Sequence, residues 1–269
     1  MAGAVAPVRD ALSAAEDALR AAGCDTPRLD AELLLAHAMG VSRESLFIET
    51  AGEVQPAAAR RAMDLIRRRV AREPVAYILG VKGFRHIDLA VDRRVLIPRP
   101  DTELLVEVAL GLPSSARVHD VGTGSGAVAL ALKSERSDLV VSASDDSADA
   151  VAVARANAEA LGLDVPIEVA SGLPPGGYDM VLANLPYVRE DEWAGLEPEL
   201  TRYEPREALV AGEDGLDAIR SLVAETPAGT LLGLEHSARQ AAEVRALLRD
   251  AETHRDLADR ERVTVGRAP

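Results

Sequence analysis

The sequence predicts an α/β protein: a doubly wound, mostly parallel sheet with a C-terminal antiparallel hairpin, preceded by a small helical bundle. Three observations carry that expectation. Strand-like and helix-like segments alternate from about residue 100 onward. A glycine-rich turn joins the first of those strands to its helix. Residues 1–80, by contrast, show helical spacing and no strand signal.

In order along the chain, "PVRDALSAAEDALRAAG" spaces its apolar residues for one helical face and stops at Gly23. "TPRLDAELLLAHAMG" has Thr26 as N-cap, Pro27 in the first turn and Gly40 as stop. Ser42 caps a short helix in "VSRESLF", and "QPAAARRAMDLIRRRVAREP" is a longer helix ending before Pro74. These helices set a first domain at 1–80. "LGVKGFRHIDLAVDRRVLIP" changes to glycines and β-branched residues and reads as a β-hairpin, the linker over 81–99. The α/β domain then runs over 100–269. Its strands are "ARVHDVG", "DLVVSASD", "VPIEVAS", "YDMVLAN" and "GTLLGLE"; "THRDLAD" and "ERVTVGR" form the closing hairpin. "SADAVAVARANAEALG" and "GLDAIRSLVAE" are helices between them.

Composition narrows the class. Hydrophobic content is 48% and charged content 28%, ordinary for a globular protein. No apolar run approaches the roughly 20 residues of a membrane span. The N-terminus lacks the basic start and apolar core of a secretory leader, so a cytoplasmic address is expected. The single cysteine, Cys24, excludes an internal disulfide and a cysteine-based metal cluster, and reads as a buried small residue. A net charge of -14 disfavours nonspecific binding to nucleic acid, which needs clustered Lys and Arg. The arginine-rich stretch 60–72 reads as a solvated helix face; a docking surface for an acidic or ribosome-bound partner is the alternative.

Chemistry enters at "HDVGTGSGAVAL". Gly122, Thr123, Gly124, Ser125 and Gly126 lie between a strand and a helix whose first N–H groups are unpaired. Asp145 ends the next strand, where a carboxylate can accept hydrogen bonds from both hydroxyls of a ribose. A nucleoside-containing cofactor follows. Its identity stays open here, because Gly122, Gly124 and Ala127 also satisfy the dinucleotide pattern G-x-G-x-x-G/A.

"VLANLPYVRE" ends the fourth of these strands on Asn184, Leu185, Pro186 and Tyr187. Ligands of open α/β sheets bind beyond the carboxyl ends of the strands, so this turn shares the crevice of the glycine loop. The Asn184 oxygen and a backbone carbonyl at 185 are two acceptors for a planar NH₂ group. Pro186 stiffens the turn and Tyr187 offers a flat face. Such a cradle aligns a delocalised nitrogen with an electrophilic methyl group; neither a metal nor a covalent nucleophile is required.

These residues, in this order, resemble class I S-adenosylmethionine-dependent methyltransferases that act on nitrogen. "REPVAYILGVKGF" (72–84), "VLIPRPDTELLVE" (95–107) and "YEPREALVAGEDGL" (203–216) narrow the resemblance to the peptide chain release factor N5-glutamine methyltransferases, the HemK/PrmC family. It covers nearly the whole chain. It implies a Rossmann-like fold and S-adenosyl-L-methionine as cofactor, held by Gly122–Gly126, Asp145, Leu173 and Asn184. It implies that Asn184, Leu185, Pro186 and Tyr187 bind and orient the amide of a glutamine in the Gly-Gly-Gln loop of class 1 release factors. Arg99 in "IPRPDTE" is expected to orient substrate or the cofactor carboxylate, and Asp101 or Thr102 to cap the next helix. The helical front domain would recognise the substrate, with the enzyme a monomer that makes no direct contact with nucleic acid.

Two positions depart from the family pattern. Leu185 stands where proline is usual, and only its carbonyl is expected to matter. Gly172 stands where an acidic residue near the adenine is frequent. Asn-Leu-Pro-Tyr is also similar to RNA adenine dimethyltransferases, so the rival reading is an adenine-N6 methyltransferase acting on RNA or DNA. A nonenzymatic cofactor-binding or ribosome-associated module is the third. His236 is expected to be a satisfied core or surface residue rather than a base.

Overall fold

Val8, Leu12, Ala15 and Leu19 recur at helical spacing along α1 (Val8–Ala21), and all four are buried. The computed structural model describes residues 6–48 and 52–269; the first five residues, part of the stretch read for a leader, lie outside them. The chain divides into two units, Met1–Gly80 and Val81–Pro269.

In the first unit α2 (Pro27–Met39) packs with α1, α3 (Arg43–Ile48), α4 (Pro56–Val70) and α5 (Val75–Leu79). Two short strands not anticipated from the sequence, β1 (Ala6–Pro7) and β2 (Glu53–Val54), pair antiparallel beside them. Gly40 closes α2 in the left-handed conformation, as its position suggests. Thr26 sits at the N-cap but makes no capping bond; its hydroxyl donates to Asp30 Oδ1 at 2.8 Å.

The arginine run is largely consumed inside this unit. Arg61 donates to the carbonyl of Ala38, Arg68 pairs with Glu73, and Arg67 pairs with Asp64. Arg69 is buried and meets buried Asp30 at 2.7 Å. The expectation of a solvated face fails for that residue, because Asp30 of α2 draws its guanidinium inward. Cys24 is buried, as expected.

The second unit begins with the hairpin β3 (Val81–Phe84) and β4 (Ile87–Ala90). Phe84, Ile87 and Leu89 are buried in the main core of this unit, so the hairpin expected as a linker is part of the second unit's packing. After α6 (Glu103–Ala109) come β5 (Arg117–Val121), α7 (Ala127–Glu135), β6 (Val140–Asp145), α8 (Ala148–Leu161), β7 (Ile167–Val169) and β8 (Met180–Ala183). Then follow α9 (Pro198–Tyr203), α10 (Asp217–Glu225), β9 (Leu231–Glu235), α11 (Ala241–Ala246), β10 (Arg249–Arg255) and β11 (Glu261–Arg267).

The seven strands of the main sheet lie in the order β10-β11-β9-β8-β5-β6-β7. Those from β9 to β7 run parallel, and β10 and β11 run antiparallel, as the sequence suggests. All four residues of β8 are buried, the mark of a strand covered on both faces. Chain order reverses between β5 and β8. Outside the carboxyl ends of these two strands lies the switch point at which such sheets take ligands.

The Arg69–Asp30 pair yields a stability test. Asp30→Ala should cost about 3 kcal/mol in urea unfolding, since it removes a buried carboxylate partner from a buried guanidinium. The double variant Asp30→Ala/Arg69→Met should recover at least half of that loss. Equal losses in both variants would show that the pair does not act as a unit.

Candidate active site

A cavity of about 350 Å³ opens at the switch point. From β5 it is walled by Gly122 and Gly124, from β6 by Asp145, from β7 by Ala170, Ser171 and Gly172, and from β8 by Asn184, Leu185 and Pro186. Pro205, Glu207 and Ala208 of the "YEPREA" stretch contribute another part of the wall.

The glycine loop is bound to the neighbouring strand before any ligand is considered. Gly122 and Thr123 N–H groups both donate to the carbonyl of Ser144, at 2.9 and 3.0 Å. Gly122, Gly124 and Gly126 all have positive φ. A Cβ on Gly122 would lie 2.9 Å from Leu185 Cδ2, and one on Gly126 would lie 2.8 Å from Leu130 Cδ1. The candidate residues of this loop therefore divide. Gly122 and Gly124 face the cavity. Gly126 lets α7 close on its own turn, Thr123 donates to Asp120 Oδ2 at 2.6 Å, and the Ser125 carbonyl accepts from Asn157 at 2.9 Å.

Asp145 is set up as an acceptor. Its Oδ2 accepts from Gly124 N–H at 2.8 Å and its Oδ1 from Ser147 N–H at 3.0 Å. An ionised carboxylate has about four lone-pair sites, so both oxygens retain capacity toward the cavity. Burial raises its pKa, and the two backbone donors oppose that rise. Behind it, burial pushes the fully enclosed Asp120 up to about 7, with the charge of Asp145 adding to the shift.

The Asn184 side chain is held from behind. Its Nδ2 donates to Thr102 Oγ1 at 3.0 Å, which leaves Oδ1 as the acceptor end. Thr102 is buried and does not cap α6; its hydroxyl is engaged by Asn184 and lies against Glu235. The capping expectation thus gives way to a tertiary bond. Tyr187 donates its hydroxyl to Glu235 Oε1 at 3.3 Å, and burial pushes that phenol up, so it stays protonated. Leu185 supplies more than a carbonyl: its side chain covers Gly122 and packs with the cluster around Val121 and Val181.

Arg99 and Leu173 are not among the residues lining the cavity. Arg99 pairs with Glu204, whose other oxygen accepts from Ile97 N–H at 3.1 Å. Leu173 packs with the Val121 and Val181 cluster, and its N–H donates to Glu225. Asp101 does not cap α6 either; Arg260 and Arg262 hold it at 3.2 and 3.1 Å. The stretches "VLIPRPDTE", "YEPREA" and "ERVTVGR" are thereby tied together around Thr102. His236 is buried between Thr264 Oγ1 and the Ser237 carbonyl, satisfied as expected.

Glu235 is a site residue outside the set expected from the sequence. It ends β9 at 1% exposure, and among the described residues its Oε2 has no hydrogen-bond partner. Burial pushes its carboxyl up to about 7, against the pull of Thr102 and Tyr187. An acid closing the apolar run "LLGLE" was the available signal.

Residues 10–80 match the family described as PrmC N-terminal domain, and residues 100–196 match Methyltransferase small domain. The solved hMettl16 catalytic domain in complex with MAT2A 3'UTR hairpin 6 is 16% identical with a TM-score of 0.52, covering 79% of this chain and 81% of that one, a likeness of fold. Sheet order, glycine loop and terminal acid define a class I S-adenosylmethionine-dependent methyltransferase. The chain is 40% identical to the release factor glutamine methyltransferase of Deinococcus radiodurans, over 97% of this chain and 98% of that one. The same-named proteins of Xylella fastidiosa and Salmonella typhimurium are 42% and 41% identical, each over 90% of this chain and 94% and 93% of theirs. The chain belongs to the release factor glutamine methyltransferase family.

The Glu235 shift has a defined sign. Between its ordinary value of 4.5 and about 7, the folded state holds a proton that the unfolded chain has released. Stability from this group is full below pH 4.5 and is lost as pH rises to about 7, a change on the order of 3 kcal/mol. Glu235→Gln should match the parent at pH 4.5 and gain on it by pH 8 in urea unfolding. A constant difference across that range would contradict the shift.

Proposed function

We propose that the protein transfers a methyl group from S-adenosyl-L-methionine to N5 of the glutamine in the Gly-Gly-Gln loop of class 1 peptide chain release factors. The carrying observation is the fixed Asn184 amide: Thr102 takes its NH₂ end, so its oxygen is presented at the cavity wall beside the glycine loop. The relatives' shared name supports glutamine as the target.

The residues suit the cofactor. Asp145 keeps acceptor capacity for the ribose hydroxyls, and Gly122 and Gly124 present backbone without side chains. When bound, the cofactor supplies an electrophilic methyl group on a sulfonium. Asn184 Oδ1 and the Leu185 carbonyl each accept one N–H of the target amide, turning its nitrogen toward that group. The methyl group would be given up with the electron pair staying on sulfur, and the proton lost from the amide nitrogen would pass to solvent. Pro186 restricts the turn, and Tyr187, tethered to Glu235, keeps its ring in place. We assign Arg99 to shaping the substrate side through Glu204, Leu173 to the cofactor side, and the first unit to recognition of the factor.

The enzyme would act in the cytoplasm, as a monomer and without direct nucleic-acid contact; the net charge of -14 supports the last point. Among the described residues no helix is long and apolar enough to cross a membrane.

Incubation with labelled S-adenosylmethionine and a class 1 release factor should place the label on the Gly-Gly-Gln glutamine. Labelling of RNA or DNA but not the factor would favour the adenine-N6 reading. Asn184→Ala should lower kcat at least about 10²-fold, the scale of losing one orienting group at a reacting centre. Near-parent turnover would remove Asn184 from the mechanism.

A further inference from the structure

The strand order lays out the cavity as a sequence of stations. Asn184 on β8 marks the methyl-acceptor end, Gly122 and Gly124 on β5 come next, and Asp145 on β6 follows. If Asp145 holds the ribose, the base lies on the side of Asp145 away from Asn184. That side is the end of β7, walled by Ala170, Ser171 and Gly172.

A charged group from elsewhere in the fold meets that turn. Glu225, the last residue of α10, reaches over the 171–173 turn and lines the cavity. Its Oε2 accepts from Leu173 N–H at 3.2 Å, and its Oε1 accepts from Ser221 Oγ at 3.0 Å. Both donors are neutral, and they fill two of its roughly four lone-pair sites. Gly172 makes room for it. Its φ is +70°, and a Cβ built there would lie 2.0 Å from Glu225 Oε2 and 2.9 Å from its Cδ. A side chain in that direction would push the end of the Glu225 side chain aside, so the carboxylate occupies this place because residue 172 has no Cβ. A carboxylate needs no such clearance to solvate itself at a helix end. Here the carboxylate, on an exposed residue, borders the ligand cavity and accepts from a backbone N–H of the opposing loop.

We propose that Glu225 recognises the exocyclic amino group of the cofactor's adenine, so that a residue from α10 sets base specificity in this protein. The inference rests on the S-adenosylmethionine reading above. An ionised carboxylate only accepts hydrogen bonds. It therefore favours a 6-aminopurine, which donates, over a 6-oxopurine, which would set a second acceptor against it. Sites built to bond one polar group reject an analogue that leaves that bond unmade far more strongly than apolar pockets reject a missing methylene.

The test is calorimetric binding of S-adenosylhomocysteine and S-inosylhomocysteine to the full chain, with no methyl transfer involved. The parent should bind the adenosyl compound at least about 30-fold more tightly, the range expected for a bond to a charged group. Glu225→Gln, which offers both a donor and an acceptor, should bring the ratio to within about threefold. Glu225→Ala/Gly172→Asp moves the carboxylate from helix to loop, at a backbone conformation that Asp tolerates, and should restore discrimination relative to Glu225→Ala. A ratio unchanged in Glu225→Gln and Glu225→Ala would overturn the assignment while leaving the cofactor reading intact. A parent that binds neither compound would overturn the cofactor reading itself.

Discussion

A side-chain amide has two ends of nearly equal size, and only one of them can accept a proton donor. Which end Asn184 shows to the cavity is decided by a single hydroxyl, Thr102 Oγ1, which takes the NH₂ end at 3.0 Å. The rest of the site follows from keeping Thr102 where it is. Its loop is clamped on one side by Arg99 on Glu204 and on the other by Arg260 and Arg262 on Asp101. Glu204 precedes the "PREA" wall of the cavity, and the two arginines belong to the C-terminal hairpin. Segments far apart in the chain converge on the orientation of one amide.

The C-terminal hairpin has a second effect. β11 enters antiparallel beside β9 and pairs Val263 with Glu235. That pairing buries the Glu235 carboxyl against Thr102 and the Tyr187 hydroxyl, where desolvation favours its protonated form. Asp120, under the glycine loop, is raised for the same reason. Two acids near neutrality thus sit behind the crevice, whereas Asp145, facing it, has two backbone N–H groups supporting its charge. The contrast is between acids that hold the frame and an acid placed to accept from a ligand.

Leu185 and Gly172 acquire positive roles once their neighbours are known. Leu185 spreads over Gly122, so the glycine is needed for contact with its own partner turn as well as for its φ of +71°. Gly172 clears the space that Glu225 fills from a helix more than fifty residues further along. In both cases a residue that departs from the familiar pattern is matched by another that the pattern does not include.

Most of the elements were legible in the sequence, but α9 and α11 carried no reading and β10 begins ahead of the stretch "THRDLAD" expected for it. Strand and helix identity in the second unit follows from local periodicity, and the glycine loop, Asp145 and the Asn184 turn follow from their places at strand ends, because backbone geometry acts over a few residues. Helix caps were read less well: Thr26, Asp101 and Thr102 have capping chemistry, yet each gives its side chain to another side chain. A hydroxyl or carboxylate takes the strongest donor or acceptor within reach, and that partner is chosen by packing. For the same reason Glu225 was invisible as a site residue, ending a helix with nothing local to mark it, and Glu235 had only its place at the end of an apolar run. The sequence alone determined which backbone turns form the crevice. The tertiary structure decided which end of Asn184 faces it and which carboxylates are buried behind it or aimed into it, since those depend on charges brought together across the whole second unit.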